Sequence, residues 1–206
     1  MFDREEIVPL SEGDFRLLRD LIREYCGIFF DDSSRFLLER RLSRRVKLHH
    51  LDDFRDYYRF LLYDRRKDEE LTAAIDILTV NETFFFREQN QLKAFSDEIL
   101  PEIHETNREK KKVRIWSAGC STGEEPYTIA MLILEYGGLR GWDVEILGSD
   151  INQRVLTTAR RGVYRKNSFR ATDSYFIGKY FRERDDSFVI AEDVKRLVSF
   201  SYLNLL

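Results

Sequence analysis

Two glycines and two glutamates are packed into the stretch SAGCSTGEEPY, residues 117–127, and about 30 residues later an apolar run, VEILGSD, ends in Asp150. Gly119 and Gly123 let a backbone pass close to a ligand, and the small Ser117 and Ala118 leave it room. The pattern lacks the GxGxxG of a dinucleotide fold and the lysine of a phosphate-binding P-loop. Glu124 and Glu125 open a helix at the point where a pyrophosphate would otherwise sit, and carboxylates there repel one. They suit a cationic or neutral ligand, and S-adenosyl-L-methionine, with its amino group and sulfonium, fits better than a dinucleotide. Both glutamates could equally do no more than complement the helix dipole. Asp150, at the tip of the second strand, is placed to accept hydrogen bonds from two ribose hydroxyls, or to cap the following helix. Turn and acid in that order point to an adenosine cofactor.

These groups need a scaffold, and the chain supplies one in two halves. Residues 1–80 read as four short helices. Ser11 caps the first, Phe15, Leu18, Ile22 and Cys26 form its stripe, and Gly27 stops it. A second runs from about Ser34 to His49. A third follows Asp52 with Tyr57, Phe60 and Leu61. A fourth starts near Asp68 with Leu71, Ile75 and Leu78. After Pro101 the texture changes: a strand at Val113–Trp116, the helix EEPYTIAMLILEY, a strand in GWDVEILGSD, then a helix capped near Asn152 and ended by Gly162. Strand, helix, strand, helix predicts a parallel, Rossmann-like sheet with ligands at the carboxyl ends of its strands. The remainder suggests antiparallel strands, placed near 183–200, and a returning sheet strand.

The stretch NETFFFREQ, residues 81–89, fits no simple amphipathic element, because three adjacent rings cannot share one face. Phe84, Phe85 and Phe86 either plug a domain junction or hold Asn81 and Arg87 rigidly. On the second helix Arg35, Arg40, Arg41, Arg44, Arg45 and Lys47 stand against the single acid Glu39. Arg40, Arg44 and Lys47 project away from Leu38, Leu42 and Val46, giving a basic face suited to an acidic protein partner, to RNA, or to water alone.

Composition bounds the alternatives. The 206 residues are 43% hydrophobic with a net charge of -3, enough for a core and a poor match to general nucleic-acid binding. A D/N-P-P-Y/F run, which a nucleic-acid methyltransferase would carry, is absent. Cys26 and Cys120 form no metal-ligand pattern, His49, His50 and His104 have no ligand spacing, and no metal is expected. No basic leader with an apolar run and no membrane-length apolar stretch is visible, so a cytoplasmic protein is expected.

NETFFFREQ, WSAGCSTGEEPYTIA, GSDIN followed by ARRGVYR, and LNLL together resemble the chemotaxis-receptor glutamate methyltransferases, the CheR family, over essentially the whole chain. The resemblance implies a receptor-facing helical domain at 1–80 and an S-adenosylmethionine-binding methyltransferase domain at 81–206 with a small β-subdomain. It implies transfer of a methyl group from S-adenosyl-L-methionine, leaving S-adenosyl-L-homocysteine, to glutamates of a methyl-accepting chemoreceptor or related sensory protein. Cofactor contacts carried over fall on Asn81, Thr83, Arg87, Glu125 (Glu124 in reserve), Asp150, Asn204 and Leu205. Asp150 would hold the ribose, and Asn204 and Leu205 would flank the adenine. Arg87 would position the substrate carboxylate as the catalytic group, and Arg40, Arg44 and Lys47 would dock the substrate.

The chain departs from the family pattern at its end. It stops at LNLL, before the family's asparagine-valine-hydrophobic-tyrosine-phenylalanine segment, so a truncated fold is expected, as a fragment or a natural short form. Weak cofactor binding and impaired turnover are the corresponding expectations. The alternative is a shortened, non-catalytic cofactor-binding or partner-binding module.

Overall fold

A computed structural model describes residues 7–206; residues 1–6 of the expected helical domain lie outside the described residues. The described chain divides into two compact units, one reaching Val80 and including Asn204–Leu206, the other Asn81–Leu203.

In the first unit, helix α1 (Glu12–Cys26) begins at Ser11, whose Oγ accepts from the Asp14 N–H at 3.1 Å. It ends where Gly27 turns left-handed, with φ 75°, and returns its N–H to Arg23. Helix α2 (Arg35–Leu48) follows a 3₁₀ turn, α3 (Phe54–Tyr63) is capped by Asp53, and α4 (Lys67–Leu78) closes the bundle. Phe15, Leu18, Leu38, Val46, Phe54 and Ile75 are among its fully buried side chains. One acid lies inside this apolar core. Glu70, 3% exposed, accepts from Arg45 Nε at 2.8 Å and Tyr57 Oη at 2.7 Å, and contacts His49 Nε2 at 2.6 Å. A buried carboxylate is tolerated because its lone pairs are matched in this way.

The second unit starts with a helical stretch that the sequence pattern did not announce. Helix α5 (Gln89–Ala94) passes through a π turn at Phe95–Ile99 into α6 (Leu100–Thr106). Pro101, expected to mark the end of helical texture, lies within it. Proline has no N–H for the carbonyl four residues back, and the wider turn, with Leu100 N–H bonded to Phe95, accommodates it.

Strand β1 (Lys112–Ala118), helix α7 (Glu124–Tyr136) and strand β2 (Asp143–Asp150) form one crossover; helix α8 (Gln153–Arg161) follows. Strands β3 (Val163–Tyr164), β4 (Phe181–Arg184) and β5 (Ser187–Ile190) make a small antiparallel sheet in the order β3-β5-β4, with α9 (Ser174–Tyr180) between β3 and β4. This small sheet runs from Val163 to Ile190, earlier in the chain than the expected 183–200. After α10 (Glu192–Lys195) the chain enters β6 (Val198–Tyr202), which joins the main sheet instead. That sheet is parallel throughout, in the order β1-β2-β6, with Ala118 opposite Ser149 and Asp150 opposite Tyr202. Its turn-bearing ends therefore lie side by side. Val113, Ile146, Tyr127, Met131 and Val194 belong to the core beneath, whereas Trp116, Arg114 and Glu145 reach solvent, Arg114 paired with Asp143 and Glu145.

Candidate functional site

The turn after β1 is built from left-handed residues: Gly119, Ser121 and Gly123 have φ of 76°, 50° and 91°. The two glycines serve different ends. A Cβ on Gly119 would meet nothing within 4 Å, so the space beside it is open, as close approach of a ligand requires. A Cβ on Gly123 would lie 2.9 Å from Ala159 Cβ and from the Phe200 ring, so this glycine is demanded by packing on α8 and β6 rather than by a ligand.

Four amides of this turn, those of Gly119, Cys120, Ser121 and Gly123, are already engaged. Gly119 and Cys120 both donate to the Ser149 carbonyl, at 2.8 and 2.9 Å, and Gly123 donates to Cys120. Ser121 N–H donates to Asp150 Oδ2 at 2.8 Å. A phosphate cradle needs such N–H groups free; here the protein's own acceptors take them, and the turn offers carboxylates to a ligand instead.

Asp150, 8% exposed, holds both sides of the junction. Its Oδ2 takes the Ser121 amide and its Oδ1 the Asn152 amide at 2.8 Å. Each oxygen keeps a further lone pair for a diol. The helix cap that the sequence left open falls to Asn152, whose Oδ1 accepts from Arg154 and Val155. Position 150 is thus free of the capping alternative.

The two glutamates of the turn part company. Glu125 is exposed and accepts from the buried Ser117 hydroxyl at 2.6 Å. Glu124 is 2% exposed, its Oε2 accepting from Thr122 Oγ1 at 2.6 Å and its Oε1 from Ser168 Oγ at 3.1 Å. Burial pushes the Glu124 carboxyl up from its ordinary value against the pull of those hydroxyls. A carboxylate that greets a soluble cation must be reachable, and of the pair Glu125 is. Cys120, buried beneath the turn, is no nucleophile: burial and the nearby Asp150 charge push its thiol up to about 12.

The Asn81–Arg87 block runs beside this turn. Ser121 Oγ donates to the Asn81 carbonyl at 3.0 Å, and Thr83 is half-buried. Of the three rings Phe85 is wholly buried, edge-on to Tyr164 and Phe181 and stacked on Phe169. Phe86 packs on Phe176, and Phe84 lies under the Arg170 guanidinium at 3.7 Å. Phe86 holds a left-handed φ of 58°, uncommon for an aromatic residue, and its N–H reaches Thr128 Oγ1 at 3.3 Å. Arg87 follows with its side chain half exposed, donating to the Glu82 carbonyl at 3.0 Å and lying 3.5 Å from Glu88. The rings anchor the backbone while the guanidinium stays within reach of solvent.

Asn204 and Leu205 lie past the end of β6. Asn204 Nδ2 donates to the Tyr25 carbonyl at 2.7 Å, so its amide caps α1, and Leu205 is 66% exposed. The structure groups both with the helical unit. On α2, Arg40, Arg44 and Lys47 are exposed as their spacing predicts. Arg41 and Arg45 turn inward, to the carbonyls of Ile77 and Leu78 and to Glu70, which thins the basic face.

Sequence reasoning missed the hydroxyls that fix the acids: Ser117, Thr122 and Ser168. Ser168, 44 residues from Glu124, has no local signal. Two of the three histidines make side-chain hydrogen bonds, His49 with Glu70 and His104 with Tyr136.

A parallel sheet whose first turn presents acids instead of amides defines an α/β domain of the S-adenosylmethionine-dependent methyltransferase type. Residues 81–206 match the family model for the CheR methyltransferase SAM binding domain, and residues 13–79 that for the CheR methyltransferase all-alpha domain. Chemotaxis protein methyltransferase 2 of Vibrio cholerae is 39% identical over 200 residues, covering 96% of this chain and 69% of that protein. The chemotaxis protein methyltransferase of Borreliella burgdorferi is 35% identical, covering 97% and 72%, and that of Escherichia coli 33%, covering 98% and 69%. The chain belongs to the CheR methyltransferase family. S-adenosylmethionine is its methyl donor. The open space at Gly119, the reachable Glu125 and the spare lone pairs of Asp150 fit that donor's cation and diol.

Proposed function

We propose that the protein transfers a methyl group from S-adenosyl-L-methionine to glutamate side chains of a methyl-accepting chemoreceptor or related sensory protein, in the cytoplasm. The observation that carries this reading is the acid pair at the carboxyl edge of the sheet: Glu125, reachable and held by Ser117 at 2.6 Å, and Asp150, anchored on the Ser121 amide at 2.8 Å. Among the described residues, no helix is long and apolar enough to cross a membrane.

The cofactor supplies an activated methyl on a sulfonium. The rest falls to the chain. A glutamate nucleophile, with a reference pKa near ~4.3, is already ionised at neutral pH and needs no base. Glu125 balances the cofactor's positive charge, and Asp150 fixes its ribose. Asn81, whose carbonyl accepts from Ser121 Oγ of the turn at 3.0 Å, and Thr83 are further cofactor contacts in this reading. Arg87, on a backbone held by Phe85 and Phe86, orients the incoming carboxylate. Alignment is where such a site gains its rate. Asn204 and Leu205 remain assigned to the adenine. The exposed Arg40, Arg44 and Lys47 steer an acidic receptor helix.

The test is transfer of a tritiated methyl group to a receptor cytoplasmic fragment, followed by base treatment. Release of label as methanol identifies a carboxyl methyl ester. Base-stable label would exclude glutamate as the acceptor.

A further inference from the structure

We infer that Glu124 is a positioning residue, a buried link that holds the cofactor turn and the Phe85–Arg87 segment in one register. The inference rests on the functional reading above. It deepens that reading by giving the second glutamate of the turn a task that neither a cofactor contact nor a dipole complement describes.

Each carboxylate oxygen of Glu124 is engaged by a hydroxyl of the protein. Its Oε2 accepts from Thr122 Oγ1 at 2.6 Å, and Thr122 belongs to the turn that carries Gly119 and Gly123. Its Oε1 accepts from Ser168 Oγ at 3.1 Å. The carbonyl of that same Ser168 accepts the Phe85 N–H at 2.9 Å. The main chain of Glu124 reaches the segment by a second route. Thr128 Oγ1 donates to the Glu124 carbonyl at 2.7 Å and accepts the Phe86 N–H at 3.3 Å. Two consecutive amides, those of Phe85 and Phe86, are therefore held through one intermediary each by one residue.

The far side of the link is equally fixed. Tyr164 Oη donates to the Thr122 carbonyl at 2.8 Å, and the Tyr164 ring packs edge-on to Phe85 at 4.8 Å. The segment needs such support, because Phe86 sits at φ 58° and a bulky residue there relaxes unless its surroundings hold it. Arg87 is next in the chain, and among the described residues its guanidinium meets its own segment: the Glu82 carbonyl, Glu88 and the Phe84 ring. Its placement against the turn thus depends on the backbone of Phe85 and Phe86. The distance between methyl donor and carboxylate acceptor is then set partly by Glu124, and displacements of about 1 Å can cost 100-fold in rate.

Both Glu124 oxygens accept from hydroxyls, so the link needs hydrogen bonds and no charge. A glutamine offers one acceptor and one donor, and a serine or threonine hydroxyl can take either role. Glu124→Gln should therefore keep what Glu124→Ala loses.

The experiment uses the full chain with Glu124→Ala, Glu124→Gln, Ser168→Ala and the Glu124→Ala/Ser168→Ala pair. Three quantities are read: S-adenosylhomocysteine affinity by calorimetry, kcat and KM for a receptor fragment, and hydrogen exchange at the Phe85 and Phe86 amides. Expected are a kcat about 10-fold lower or more for Glu124→Ala and Ser168→Ala, with cofactor affinity within about 3-fold of the parent. Exchange at Phe85 rises about 10-fold in both, and the double variant is no worse than Glu124→Ala, as for residues acting as a unit. Glu124→Gln returns all three readings close to the parent. The link is overturned if Ser168→Ala exchanges and turns over as the parent does, if Glu124→Gln is as impaired as Glu124→Ala, or if affinity and kcat fall in step. Exchange needs no cofactor and decides the link by itself, whereas failure of the parent to bind S-adenosylhomocysteine sinks the reading of the site.

Discussion

The Ser121 amide donates to Asp150 Oδ2 at 2.8 Å, joining the turn after the first strand to the tip of its neighbour. Ser121 takes a left-handed φ of 50° to do so. The acid is thus a structural anchor as well as the proposed ribose contact. Asp150→Asn places an amide that can turn only one acceptor to two backbone donors, and S-adenosylhomocysteine affinity should fall at least about 10-fold, ~1.4 kcal/mol. Calorimetry measures it, and unchanged affinity would remove Asp150 from the ribose.

The two glutamates of the turn should separate in the same assay. Glu125→Gln removes a reachable charge held by Ser117 and should weaken S-adenosylhomocysteine about 3- to 10-fold, as for loss of one partly exposed electrostatic contact. Glu124→Gln should leave it nearly unchanged. The reverse order would reassign the cofactor contact to the buried residue.

Arg87→Ala should lower kcat/KM for a receptor fragment about 100-fold, ~2.7 kcal/mol of transition-state stabilisation. The fold should persist, because among the described residues the guanidinium contacts its own segment. Phe85→Ala should act oppositely. It opens a cavity among Tyr164, Phe169 and Phe181, at a cost of about 3–5 kcal/mol, readable as a lowered denaturant midpoint. A stable Phe85→Ala protein would contradict the anchoring role of the ring.

Charge reversal of Arg40 and Arg44 should raise KM for an acidic receptor fragment and flatten its salt dependence, with cofactor affinity untouched. Arg45→Glu is a different experiment despite its similar sequence context, since Arg45 pairs with the buried Glu70 and its loss should unfold the helical unit.

Glu70 also gives a pH prediction. Burial pushes its carboxyl up, but the hydrogen bonds from Arg45, Tyr57 and His49 outweigh burial and hold it below the ordinary glutamate value of 4.5. A depressed folded pKa contributes stability that is present above the unfolded value and lost as pH falls through the folded one. The helical unit should therefore lose stability below about pH 4.5, and Glu70→Gln should flatten that part of the profile. A melting temperature that falls equally steeply with the glutamine would place the acid sensitivity elsewhere.

Much of this was legible from residue order alone, for reasons that differ by element. Helices α1 to α4 declare themselves through apolar stripes and through Ser11 and Gly27 at the ends of α1, signals confined to a few neighbouring residues; the cap of α3 falls on Asp53, one residue past the Asp52 that the sequence pointed to. The β1 turn and Asp150 are readable because a parallel crossover puts strand tips together whatever the intervening helix contains. The π turn before Pro101 was hidden, since a proline inside a helix reads as a stop until the wider turn absorbs it. The hydroxyls that sort Glu124 from Glu125 were hidden for another reason. Ser168 lies 44 residues from its partner, and only folding brings them to 3.1 Å. Asn204 was assigned to the adenine through the family resemblance alone, and its hydrogen bond to the Tyr25 carbonyl, 179 residues away in the chain, had no local signal either.

The most direct measurement is a structure of the protein with S-adenosylhomocysteine, backed by titration of the same ligand. The account predicts adenosyl density over the open side of Gly119, with the ribose on Asp150 and the amino group toward Glu125. Density elsewhere, or binding that survives removal of both carboxylates, would contradict it.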